Sequence, residues 1–448
     1  MRKARVLDLI GEWRPAGDIY REGAAVARRE GLADAESDCL QCSAELLALQ
    51  GNYPEALALF EQAAGIAAAA GQPDRAITVR GRAGNVSFYL GDFRGAAGSF
   101  DQLLALGERT GDREMIAAAL GNLGLIDVEQ GRYESAERHL QRARAIQEGA
   151  NMRQRLANTY GCLATLCARR GDAAAAADFY RMQLDVASAI GDKRTVGAAF
   201  SNLAGVHWRR GEMDRAMDCC RRSLLISNEL GDRRGAASAL GNLGILHKNC
   251  GDFARAESCY REALEIDREL GDRRAAAIVQ GNLANLSKLM GNAARAAELY
   301  DAAISGCREI GLRHYLCESL YQKAELLFSL GDREAAAGVN AEALALAAEH
   351  GDADVAVGMA VLDVKLRAAA GRCDAAAELR ALLLRFPDPA QLATLHAELF
   401  LLTGDERERQ SALANYDRVA GGSPDIAVRR RIERLRRTGP GTGQGATA

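Results

Sequence analysis

Glycine recurs along this chain with a period of 40 residues. Counting from Gly51, every fortieth position is glycine: Gly91, Gly131, Gly171, Gly211, Gly251, Gly291, Gly331 and Gly371. A second column lies 20 residues out of step, at Gly31, Gly71, Gly111, Asn151, Gly191, Gly231, Gly271, Gly311 and Gly351. Glycine supplies 46 of 448 residues, so chance cannot fill both columns. Gly and, less often, Asn adopt the left-handed backbone that ends a helix and satisfies its last carbonyls. Each column therefore predicts a helix end. Every 40-residue unit then reads as helix, tight turn, helix, tight turn, with helices of about 17 residues, or about 25 Å. Asp often follows the glycine, as in Gly91-Asp92, Gly171-Asp172, Gly231-Asp232, Gly251-Asp252 and Gly271-Asp272. An Asp there can cap the next helix by accepting its free N–H groups. Between Pro73 and Pro387 there is no proline, as uninterrupted helices require.

The packing positions keep the same period. Five residues after each glycine of the first column stands alanine: Ala56, Ala96, Ala136, Ala176, Ala216, Ala256, Ala296, Ala336 and Ala376. Four residues further on comes a larger plug: Phe60, Phe100, Leu140, Tyr180, Cys220, Tyr260 and Tyr300. The i, i+4 spacing puts both on one helix face. The first helices carry Leu123, Leu163, Leu203, Leu243 and Leu283, each followed by Gly or Ala. Aromatics at only 5% and abundant alanine suit closely packed helices and disfavour a β-sandwich or barrel. The predicted fold is all-α, a right-handed solenoid in which each helix pair buries its face on its neighbours.

Asn242-Leu243-Gly244, Gly251-Asp252-Phe253, Ala256, Tyr260 and Ala263 together resemble the tetratricopeptide repeat. The usual repeat has 34 residues. This one is similar to the longer 40-residue form of kinesin light chain and of spindle-orientation adaptors. The resemblance implies a superhelix whose first helices face a concave groove that holds an extended peptide.

Nine repeats are expected over residues 33–386. A half-repeat or cap over residues 1–32 precedes them, with Gly11, Ala16 and Tyr20 in register. Phe386-Pro387-Asp388-Pro389 breaks the array. Residues 390–437 read as a degenerate helical pair followed by a polar capping helix, and residues 438–448 as a disordered tail. Asp8 and Glu12 interrupt any apolar run near the start, and Ala63–Gly71 is too short for a membrane helix. Eleven cysteines without a disulfide-like spacing suggest a reducing cytoplasm.

The position before the leucine column reads Cys42, Arg82, Asn122, Cys162, Asn202, Asn242, Asn282 and Gln322. In the resembled family this position faces the groove, and Asn there implies a ladder along a bound peptide. A carboxamide offers one acceptor and two donors, enough for both polar groups of a peptide unit. The candidate groove residues are Asn122, Asn202, Asn242, Asn282, Asn285, Arg169, Arg209 and Asn249, with Asn85 beside them. The preceding position is mostly glycine: Gly81, Gly121, Gly161, Gly241 and Gly281. Glycine inside a helix costs about 1 kcal/mol relative to alanine. Two readings stand: a bare strip for a ligand backbone, or close passage of neighbouring helices. Arg169, Arg209, Arg170, Arg210, Lys248 and Lys288 either attract an acidic segment or are ordinary solvated helix ends.

Other motifs read as structural. Cys39 and Cys42 form a CxxC, but inside a helix and with no second pair to complete a zinc site. Cys219, Cys220, His207 and His247 fall on packing positions. No metalloprotease, phosphate-loop or nucleophile-elbow motif occurs, so no cofactor, metal or catalytic group is expected. A net charge of −3 disfavours nucleic acid as a partner. The expected function is a non-catalytic scaffold for a protein or peptide partner. The alternative is a module that senses a ligand or signal peptide and acts on a separate effector protein.

Overall fold

The computed structural model describes residues 3, 13–350, 353–419 and 426–437. The register positions Gly11 and Gly351 and the tail 438–448 lie outside the described residues. The described elements are all α-helices. The first is α1 (Trp13–Arg29). Helix pairs follow: α2 (Ala33–Leu49) with α3 (Tyr53–Ala69), α4 (Pro73–Tyr89) with α5 (Phe93–Thr110), and α6 (Arg113–Glu129) with α7 (Tyr133–Gly149). Next come α8 (Arg153–Arg169) with α9 (Ala173–Ala189), α10 (Lys193–Arg209) with α11 (Met213–Glu229), and α12 (Arg233–Cys250) with α13 (Phe253–Leu270). The array continues with α14 (Arg273–Leu289) and α15 (Ala293–Ile310), α16 (Arg313–Ser329) and α17 (Arg333–His350), and α18 (Ala353–Ala369) and the short α19 (Ala375–Arg385). It ends in α20 (Pro389–Thr403), α21 (Glu406–Val419) and α22 (Ile426–Arg437).

The register glycines end these helices as their chemistry requires. Gly51, Gly91, Gly131 and Gly171 have φ of 75°, 79°, 72° and 83°, and Asn151, in the other column, has φ 52°. At Gly91 the closing bonds run from Gly91 N–H to Phe88 O at 3.0 Å and from Asp92 N–H to Ser87 O at 2.9 Å. Asp92, Asp172, Asp232, Asp252 and Asp272 then cap the following helices, accepting N–H bonds of 2.9–3.1 Å.

Alanines 56 through 336 of the packing column are fully buried, and so are Phe60, Phe100, Leu140, Cys220, Tyr260 and Tyr300. The small residue after the leucine exists to receive the plug. A Cβ on Gly244 would lie 2.5 Å from the Tyr260 ring, and one on Gly124 would lie 2.6 Å from Leu140. The period weakens at the C-terminal end, where α19 has 11 residues and Leu384 is almost fully exposed. There Phe386 and Leu379 instead join Val357, Val361, Leu395 and Leu399 in a local core.

First helices of successive repeats, such as α6 and α8 or α16 and α18, lie against one another as well as against their own partners. They form the inner layer, and the second helices form the outer one. The curvature is tight enough to bring the stack back on itself. Arg273 N–H donates to the Gln50 carbonyl at 3.2 Å, joining residues about five and a half repeats apart. The Arg234 guanidinium donates to the Leu49 carbonyl. The Arg274 guanidinium lies 5.5 Å from the centre of the Tyr89 ring. Gly51 allows the approach: a Cβ there would sit 2.9 Å from Arg274 N.

Candidate inner-face site

The seam borders a cavity of ≈ 840 Å³ between α2, α3 and α4 on one side and α12, α13, α14 and α16 on the other. Three carboxamides line it: Asn85 from α4, Asn242 from α12 and Asn282 from α14. Gly241 also lines it, and a Cβ there would meet nothing within 4 Å. The glycines of this column therefore divide. Gly121 and Gly241 face open space, whereas a Cβ on Gly161 would lie 2.8 Å from the Gln183 amide and one on Gly81 3.0 Å from Leu103. Helix crowding explains glycine at Gly81 and Gly161 and does not explain it at Gly121 or Gly241.

The candidate residues occupy different settings. Asn202 is exposed, while Asn122, Asn242 and Asn282 are half-buried. Asn242 Nδ2 donates to Ser201 Oγ of the preceding repeat at 2.9 Å. Asn285 Oδ1 accepts from the Tyr300 hydroxyl at 2.6 Å, which ties that carboxamide to the plug of its own repeat. Asn282, Asn285 and Gln322 share a second, smaller cleft with Tyr315 and Glu318. Asn249 is buried, only 3% exposed. Arg169 pairs with Glu129 of the preceding repeat at 2.8 Å, and Arg170 with Glu137 at 2.8 Å. Arg210 reaches Glu212 at 3.1 Å and Lys288 reaches Glu325 at 2.9 Å. These cations meet carboxylates of this same chain, so they form no unmatched positive stripe. Arg209 is exposed.

Several residues of the cavity carry no sequence signal. Tyr53 and Tyr89 stack with ring centres 6.1 Å apart. Burial pushes the Tyr53 hydroxyl up to about 12. Asp267 is 2% exposed; burial, reinforced by the charge of Asp272, pushes its carboxyl up to about 7. Asp272 holds Arg234 at 2.9 Å. Arg82, which interrupts the carboxamide column, pairs with Glu45 at 2.6 Å on the cavity wall. Residues 45–53 and 234–274 become neighbours only through superhelical closure, so no local pattern could announce them.

The packing assignments of the remaining motifs match their surroundings. Cys39, Cys219 and Cys220 are buried, and burial pushes the Cys220 thiol up to about 12. His207 and His247 are each 8% exposed, and His207 Nδ1 lies 2.6 Å from Glu212 Oε2. Among the described residues no three His, Cys, Asp or Glu side chains cluster as a metal site. No described helix is long and apolar enough to cross a membrane.

Stacked antiparallel helix pairs with a shared inner face define an α-solenoid, a class that presents an extended binding surface. A family model of the tetratricopeptide repeat matches residues 75–149 and 195–269. The chain is a tetratricopeptide repeat protein, and proteins of this family are generally interaction modules. Solved structures resemble the chain at low identity. The apo form of RapI is 14% identical with a TM-score of 0.50, over 80% of this chain and 98% of that one. The apo quorum sensor NprR from B. thuringiensis is 15% identical with a TM-score of 0.49, over 79% and 99%. BtubC (BKLC) from P. vanneervenii is 22% identical with a TM-score of 0.41, over 47% and 89%. No curated protein matches the sequence.

Proposed function

We propose that the protein is a non-catalytic interaction module that binds a peptide segment of a partner on the inner face, around Asn242 and Asn282. The observation that carries this reading is the convergence of Asn85, Asn242 and Asn282 beside the bare Gly241 in one cavity of ≈ 840 Å³. A carboxamide can match both the N–H and the C=O of a ligand backbone. Gly241 leaves room for that backbone to lie close, and its helix cost of about 1 kcal/mol has no packing explanation at this position. Asn202 and Asn122 hold the same register position in earlier repeats. The eleven cysteines fit residence in the reducing cytoplasm.

The seam favours a second reading, a peptide-sensing module that signals to a separate protein. A ring held shut by a few polar contacts has an open alternative, and a ligand that prefers one state shifts the balance. The test of the main reading is capture from native cell extract by wild type and by an Asn202/Asn242/Asn282→Ala variant with unchanged circular dichroism. A partner that binds the wild type and is lost from the variant supports it. A partner held equally by both refutes the inner-face site. Small-angle scattering with the captured partner peptide separates the readings, since only the sensor changes dimensions.

A further inference from the structure

The C-terminal helix α22 was expected to be a solvated cap, and its placement says more. Leu435 is 1% exposed and, with Ile432, packs against Ala393, Ala397 and Phe400 of α20 and against Ala412 and Tyr416 of α21. The Arg409 guanidinium donates to the Leu435 carbonyl at 3.2 Å. Arg431 lines a cavity of ≈ 400 Å³ whose other walls come from first helices: Lys288 of α14, Tyr321 and Glu325 of α16, Val357 and Lys365 of α18, and Glu398 of α20. The helix also touches α12, about five repeats back along the array. It therefore packs on the last helix pair and also reaches the inner layer of first helices.

The fit is one of charge and shape. Glu325 and Glu398 stand in this cavity, held by Lys288 at 2.9 Å and Lys365 at 2.7 Å, and Tyr321 donates to Glu325 at 2.9 Å. Arg431, exposed on α22, lines the same cavity, and the nearby Tyr416, Glu398 and Tyr321 favour its charged form. The arm has few buried anchor points among the described side chains. Leu435 is its one fully buried side chain among those described, and its ion pair from Arg436 to Asp417, 3.8 Å, is exposed on both sides. Such exposed pairs contribute little.

We propose that α22 is a displaceable resident of the C-terminal half of the inner face, and that this surface takes basic amphipathic helices with arginine and leucine at i and i+4. The natural competitor is a partner's helix with that pattern. The proposal rests on the inner face being the peptide-binding surface, and it places the second half of that surface under the control of the chain's own arm.

The test uses the full chain and a fluorescent peptide of residues 424–438. In Leu435→Asp, the arm can no longer bury its anchor and leaves the surface. The peptide then binds this variant at least tenfold more tightly than wild type, whose tethered arm competes at high local concentration. Adding Glu398→Gln to Leu435→Asp weakens the peptide again, and adding Asn242→Ala and Asn282→Ala leaves it bound. An Arg431→Ala chain, which keeps the leucine anchor, gives an intermediate gain and guards against a folding artefact. Equal binding by wild type and Leu435→Asp overturns the proposal, and so does no binding by a Leu435→Asp chain of native helicity. Either result leaves the Asn202/Asn242/Asn282 capture experiment to decide the inner-face reading on its own.

Discussion

The seam can be tested by two glycines that differ in one respect. Gly51 and Gly71 both end a helix, with φ of 75° and 76°. A Cβ on Gly71 meets nothing within 4 Å, whereas one on Gly51 would lie 2.9 Å from Arg274 N across the seam. Valine at either site pays the left-handed penalty of about 1–2 kcal/mol. At Gly51 it also drives a branched side chain into backbone, which no rotamer relieves, so the seam must part. What is then lost is the Arg273-to-Gln50 bond, the Arg234 bond to the Leu49 carbonyl and the Arg274 contact with Tyr89. A neutral hydrogen bond, a charged one and a cation–π contact sum to about 4 kcal/mol, trimmed by exposure to about 2–4. Gly51→Val should therefore be less stable than Gly71→Val by that margin in urea. Long repeat arrays do not unfold as one unit, so the midpoint should be paired with a second readout. Small-angle scattering supplies it: Gly51→Val should show a larger radius of gyration, and Gly71→Val should match wild type. Two variants alike within about 0.5 kcal/mol, with unchanged scattering, would refute the closed ring.

Gly241→Ala should raise helix stability by up to about 1 kcal/mol, because nothing opposes the added methyl; under the proposed function it should also weaken partner capture. Gly244→Ala, whose methyl would meet the Tyr260 ring at 2.5 Å, should instead destabilise by about 1–3 kcal/mol, as thermal unfolding would read. Asp267 has a folded carboxyl raised to about 7, so the folded state holds an extra proton above the usual carboxylate range. Stability should fall as pH rises from about 4 to about 7, and Asp267→Asn should flatten that slope and stabilise the chain at pH 8 by on the order of 1–3 kcal/mol. Exposed Cys250 should react with a thiol reagent at pH 8 well before buried Cys220, whose thiol burial holds protonated up to about 12, as mass spectrometry of the labelled chain would show.

Much of this architecture was legible because its signals are local. A register glycine with positive φ, an Asp three residues before the N–H it caps, and an alanine four before its plug all act within one helical turn or across one tight turn. A 40-residue period then repeats each signal until it cannot be missed. The period faded at residues 371–386, where α19 is shorter and the core is built from Phe386 and Leu379. The glycines before the carboxamide column show the limit of such reading. All looked alike in sequence, yet Gly161 is pressed by Gln183 and Gly241 opens onto a cavity.

The helices, many of their caps and their pairing were readable in the sequence alone. All of these follow from backbone preference and from side chains within a repeat or its neighbour. It took the three-dimensional fold to show that the stack returns on itself, that Tyr53, Arg234 and Arg274 line one cavity with Asn242, and that Arg431 of α22 shares a cavity with Glu325 and Glu398. The reason is accumulation. A small rotation at each repeat interface is set by the packing of whole side chains and leaves no mark at any one position. Summed over about five and a half repeats, it brings residues 50 and 273 within hydrogen-bonding distance.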